Sequence, residues 1–148
     1  MSVFDDLGAT AAIIQFVEHG IKFGEKAIAV YGGGGAFAEL DQMTQDFQQT
    51  NQSFMDNLQL KSRGSVWGEE ALLRIAKDCQ KTAEELTQLI SRITMKPGEK
   101  SRWNALKSTT KIEYKKSEVL AKQQKLRTLR QRCHEQLSIM IRYAHCLE

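Results

Sequence analysis

The residues able to do chemistry in this chain are few and scattered. His19, His134 and His145 stand alone, with no carboxylate or thiol at the spacing a metal ion needs. Cys133 is next to His134, but adjacent residues on a helix face different directions. Cys79, Cys133 and Cys146 are odd in number and far apart, so they indicate neither a disulfide framework nor a zinc site and fit a reducing compartment. Gly32, Gly33, Gly34 and Gly35 imitate a phosphate cradle only in composition. A nucleotide loop sets its glycines between a strand and a helix and follows them with lysine and a hydroxyl residue; here a helical run precedes and no lysine follows. The four glycines therefore read as a hinge. The Lys-Ser pair at Lys100-Ser101 lacks the glycine spacing of a phosphate loop and lies in a turn. No nucleophile, base and orienting group assemble from local motifs, so the sequence predicts a protein that is not an enzyme and carries no metal and no cofactor. What remains is the chemistry of association, through charge and apolar surface.

Charge is segregated along the chain. The formal net charge of +3 conceals eight acids against two bases in residues 1–60 and eleven bases against two acids in residues 100–132. An acidic half packed beside a basic helix gains long-range attraction, although each exposed pair contributes only about 0–1 kcal/mol. The same surplus of Lys and Arg draws a protein to an anionic leaflet, at about 1 kcal/mol per residue near the surface. Lys107, Lys111, Lys115, Lys116, Lys122, Lys125, Arg127 and Arg130 are the candidates for that contact. Nucleic acid is the weaker partner, because no aromatic platform or known nucleic-acid module accompanies the charges.

The elements that position these residues are helical. A single proline, abundant Ala, Leu, Glu, Lys and Gln, and the absence of alternating β-branched runs predict an all-α chain. A first helix starts near Asp5 or Asp6, whose carboxylates suit the positive end of a helix dipole, and runs to about Tyr31. A second covers about 36–60, with Phe37, Leu40, Met43 or Thr44, Phe47, Phe54 and Leu58 on one face. A third opens at Glu69 and carries Leu72, Leu73, Ile75, Ala76, Cys79, Ala83, Leu86, Leu89, Ile90 and Ile93 before Pro97-Gly98. Trp103 and Leu106, with Ile112 and Tyr114, suggest a short extra helix or lead-in, broken at the β-branched Thr109 and Thr110. A long last helix follows, with Val119 or Leu120, Leu126, Leu129, Cys133, Leu137, Met140 and Ala144 at steps of three or four. Short joints between long helices predict an up-and-down four-helix bundle.

The chain of 148 residues suffices for one domain, placed at residues 1–146. Leu147 and Glu148 read as the remnant of an expression tag. The first helix is apolar on too many sides for a surface helix: Ile13 and Ile14 are adjacent, as are Phe16 and Val17, and Ile21 and Phe23 follow. Its chargeless part is about half of a bilayer span, and no stretch reaches the roughly 18 residues of a constitutive one. Such a helix is buried in a bundle, held against a partner, or released into lipid.

Three runs, taken in order, resemble a known family. They are DLGATAAIIQFVEHGIKFGEKAIAVYG from Asp6 with the AELDQMTQDFQQTNQSF that follows, LLRIAKDCQKTAEELTQLISRI from Leu72, and SRWNALKSTTKIEYKKSEVLAKQQKLRTLRQRC from Ser101. Together they are similar to the HeLo-like domain at the N-terminus of many fungal NOD-like receptor (NACHT-type) proteins. That domain is related to the HeLo domain of fungal heterokaryon-incompatibility proteins and more distantly to the four-helix bundle of the mixed-lineage kinase domain-like necroptosis executioner. The resemblance implies a cell-death effector that is cytoplasmic at rest. Clustered by an upstream receptor or an amyloid-signalling partner, it forms a homo-oligomer and inserts its first helix into the plasma membrane. The matching residues in that helix are Leu7, Ala11, Ile13, Ile14, Phe16, Val17, Ile21 and Phe23. The alternative is a homotypic adaptor domain of such a receptor with no membrane activity.

Overall fold

The computed structural model describes residues 3–33, 37–58, 69–91 and 109–147. They form an all-α four-helix bundle: α1 is Val3–Tyr31, α2 Phe37–Asn57, α3 Glu69–Ser91 and α4 Thr109–Leu147. Each helix packs against its neighbours in sequence, and α4 closes the ring against α1. Opposed contacts fix the directions. Lys26 near the end of α1 pairs with Glu39 at the start of α2, while Thr10 and Ile21 of α1 meet Cys133 and Gln123 of α4 in reversed order. The bundle is therefore up-and-down, with α1 and α3 also touching across the diagonal and α2 and α4 not.

Helix α1 owes its place to the step of seven in its buried residues. Three columns are sunk in the core: Ala9, Phe16, Phe23 and Val30; Ile13, Gly20 and Ala27; and Thr10, Val17, Gly24 and Tyr31. Water reaches one narrow stripe through Ala11, Gln15, Glu18, Lys22, Glu25 and Ala29. An ordinary amphipathic helix buries one stripe about 100° wide, so the adjacent apolar pairs in the sequence are accounted for by burial against three partners. Gly32 N–H donates to Ile28 O at 3.0 Å and Gly33 N–H to Val30 O at 3.0 Å. Gly33 sits at φ 87°, the left-handed conformation that stops a helix and favours glycine. Gly34 and Gly35 lie outside the described residues.

Helix α4 differs from the sequence expectation in one respect. Thr109 and Thr110 open the helix where a break was expected, so Tyr114 belongs to the same 39-residue element as Met140. β-Branched residues lower helix propensity only slightly, and a first turn tolerates them. The expected lead-in at Trp103 and Leu106, the turn at 61–68 and the end of the third helix at Pro97-Gly98 lie outside the described residues. Between the two expected alternatives the core takes Val119, fully buried, and leaves Leu120 50% exposed. In α2 it takes Thr44 and leaves Met43 half-buried.

Candidate functional site

The apolar residues expected on the first helix divide into two groups. Ile13, Phe16, Val17, Ile21 and Phe23 are core residues, whereas Ile14 is half-buried at the edge and Ala11 lies on the exposed stripe. Leu7 is helical, with its side chain outside the described set. The column Ala9-Phe16-Phe23-Val30 faces α2. There Phe16 stacks on Phe54 with ring centroids 4.0 Å apart and on Phe47 at 5.4 Å, and Phe23 meets Phe47 at 5.2 Å. His19 presents its ring to Phe47 at 5.3 Å, which gives this histidine a packing role. Such aromatic pairs contribute about 0.5–1.5 kcal/mol each beyond their area.

The α1 face toward α4 is built differently. A Cβ added to Gly24 would lie 2.6 Å from Gln123 Cγ, and one added to Gly20 would lie 3.0 Å from Leu126 Cδ1 and 3.2 Å from Phe47 Cζ. The two glycines, four residues apart, cut a notch that admits α4. Gln123 is fully buried in it, its Nε2 donating to Ile21 O at 2.8 Å. Further along, Cys133 Sγ donates to Thr10 O at 3.7 Å. The sequence reading missed Gln123, Gly20 and Gly24. Gln123 lies four residues after Val119 and three before Leu126, and the glycines show the i, i+4 spacing of a close helix contact, so spacing rather than hydropathy was the available signal.

The eight basic residues are not equivalent. Lys107 and the side chain of Lys111 lie outside the described residues. Lys122 Nζ donates to Glu85 of α3, and Lys115 and Lys116 pair within α4 with Glu118 and Glu113, each at 3.7 Å. Arg132, absent from the expected set, pairs with Asp78 of α3 at 3.6 Å. Lys125, Arg127 and Arg130 are held by no ion pair among the described residues. The attraction expected between the basic helix and the acidic N-terminal half is thereby redirected: the interhelix ion pairs of α4 run to α3. The hydrogen bond from Lys122 holds the Glu85 carboxyl below its usual range.

Cys79 and Cys133 are both fully buried. Burial pushes the Cys79 thiol up to about 12, with the neighbouring Cys133 adding to the effect, and burial pushes Cys133 up to about 11. Both are held as thiols, which makes them packing residues with little nucleophilic character. Among the described residues no group of three metal-ligating side chains converges. An open groove of about 420 Å³ lies between α3 and α4, over the Lys122–Glu85 pair.

Searches against protein-family models, curated proteins and solved structures find no match for this chain. Energetics then bound what α1 can do. Ile13, Phe16, Val17, Ile21, Phe23 and Val30 are all buried. At about 1.5–3 kcal/mol for each large apolar side chain, their burial amounts to roughly 10–20 kcal/mol. That is comparable with the net stability of about 5–15 kcal/mol that holds a typical domain folded. A single protomer in water therefore keeps α1, and only a state that reburies these side chains elsewhere can take it. No described helix is long and apolar enough to cross a membrane by itself.

Proposed function

We propose that this chain is a HeLo-like cell-death effector domain, which clusters on an anionic membrane and transfers α1 from the bundle core to the lipid, permeabilising the membrane. The observation that carries the reading is the burial of α1 on three columns, ending at the left-handed Gly33. A helix with so wide an apolar face and one narrow polar stripe is suited to lie at a bilayer interface or to line a pore jointly with other copies. Glu18, Lys22 and Glu25 fall on that stripe, so an assembly keeps them together in water. Clustering supplies the differential affinity that shifts the population away from the closed bundle. Lys125, Arg127 and Arg130, which form no ion pair among the described residues, make the contact with acidic phospholipid. On this reading the domain rests in the cytoplasm, reaches the plasma membrane on activation and answers to an upstream NOD-like receptor or amyloid-signalling partner.

The competing reading, a homotypic adaptor without membrane activity, draws on α4. That helix exposes Tyr114, Leu120, Ile139 and Ile141, which offer an apolar contact without disturbing the core. Dye-filled vesicles with and without phosphatidylserine separate the two. The effector reading expects release from acidic vesicles only, and only when the protein is fused to an oligomerising tag. Clustered protein that neither floats with acidic vesicles nor empties them supports the adaptor and ends the effector reading.

A further inference from the structure

Any route that frees α1 parts it from α4 and, across the diagonal, from α3. The routes differ in what α2 gives up, either its seam with α1 or its seam with α3. The first seam is aromatic, with Phe47 and Phe54 of α2 interleaved with Phe16 and Phe23 of α1. The second is polar. Gln80 Nε2 of α3 donates to Asn51 O of α2 at 3.3 Å. One heptad away on each helix, the antiparallel register brings Thr44 level with Thr87. Both threonine hydroxyls donate to carbonyls of their own helices, Leu40 O and Ala83 O, each at 2.7 Å. They therefore require nothing from the facing helix. Asn51 Oδ1 is buried without a hydrogen-bond partner among the described residues, a cost that water removes once the seam opens.

We infer that α1 does not leave alone: the bundle parts into two hairpins, α1–α2 and α3–α4, along the polar α2–α3 seam and the glycine-notched α1–α4 seam. The phenylalanine seam stays closed. The parting point in the chain then falls between α2 and α3, and Gly32 and Gly33 act as the turn of a hairpin that moves as a unit. This names the moving part in the proposed transition, yet it concerns the bundle in water and is measurable without lipid.

The test uses the full chain with Cys146 replaced by serine and two cysteine pairs, each bridged by a short bismaleimide. Gln15→Cys with Thr50→Cys, which line one groove beside Phe16 and Phe54 and far from the Gly33 turn, ties α1 to α2. Gln48→Cys with Glu84→Cys, exposed positions flanking the Asn51–Gln80 contact, ties α2 to α3. Hydrogen exchange of α1 amides reports opening. Relative to the unbridged cysteine pair, the α2–α3 bridge is expected to slow that exchange by about tenfold or more, and the α1–α2 bridge to leave it within about twofold. Equal slowing by both bridges, or slowing by the α1–α2 bridge alone, overturns the inference. Vesicle leakage is scored separately, so its absence removes the membrane reading while leaving the exchange pattern to decide this one.

Discussion

Along α1 the buried columns hold Ile, Val, Phe, Ala and glycine with Thr10 and Tyr31, and full exposure is confined to the stripe from Ala11 to Ala29. Along α4, its neighbour, the column through Gln123 reads Lys116, Gln123, Arg130 and Leu137, and the opposite face is solvated. The two helices meet because one lacks side chains where the other brings a polar one: Gly24 leaves the space that Gln123 fills. Burial on the α2 side is driven by side-chain area and on the α4 side by close backbone approach with a satisfied amide. An apolar helix can thus be fully committed to a fold and still be bounded by one seam that holds a polar side chain, Gln123, among apolar ones.

Substitutions test this contrast most strongly at the aromatic seam. Phe47 is fully buried and touches Phe16, Phe23 and His19, so Phe47→Ala should cost about 3–5 kcal/mol in urea unfolding. A loss below about 1 kcal/mol would erase the distinction between the seams. On α4, Gln substitutions at Lys125, Arg127 and Arg130 together should weaken flotation with phosphatidylserine vesicles on the order of a hundredfold, at about 1 kcal/mol per charge. The same change at Lys115, Lys116 and Lys122 should do much less, because each already has a carboxylate partner. Equal effects would show that internal pairing does not decide which bases meet lipid.

Glycines refine the comparison within α1. Gly24→Ala should destabilise by about 1–3 kcal/mol, because the new methyl displaces Gln123 from its bond to Ile21 O. Gly8→Ala meets nothing within 4 Å and should stabilise by up to about 1 kcal/mol through helix propensity. Thermal unfolding of the pair checks the opposite signs. The smallest effect belongs to the rim. The Glu85 carboxyl is held below its usual range when folded, so its contribution is present above the ordinary carboxylate pKa and is lost as pH falls through the depressed folded value. The pair is about a third exposed, and Glu85→Gln should flatten acid unfolding curves by less than about 1 kcal/mol.

Much of the architecture was legible before any coordinates. The four helices and the buried Phe47 and Phe54 of α2 follow from apolar spacing alone. Most polar members of the core were not legible: of Thr44, Asn51, Thr82, Thr87 and Gln123, a reading keyed to hydropathy offers only Thr44, as the alternative to Met43. Three of these are threonines whose hydroxyls are satisfied by their own helix, which lets them pass as apolar. Of the candidate site, the first helix was rightly singled out as too apolar for a surface. Its exposed Ala11 could not be told from its buried Ile13 without knowing which columns meet partners. The basic residues were found as a group, but Lys122's partner Glu85 lies on α3, far away in sequence, and Arg132, which pairs with Asp78 of α3, was not among them.

Ile14 provides the most direct test of α1 as an apolar helix held in the core and exchanged for lipid. It is half-buried at the edge of the bundle, off the column of Ala11, Glu18 and Glu25, and would border hydrocarbon after transfer. Clustered Ile14→Glu protein, compared with wild type for unfolding and for dye release from phosphatidylserine vesicles, should stay folded with a loss of about 1–2 kcal/mol and release little or no dye. Release at the wild-type rate from a normally folded variant would contradict the account.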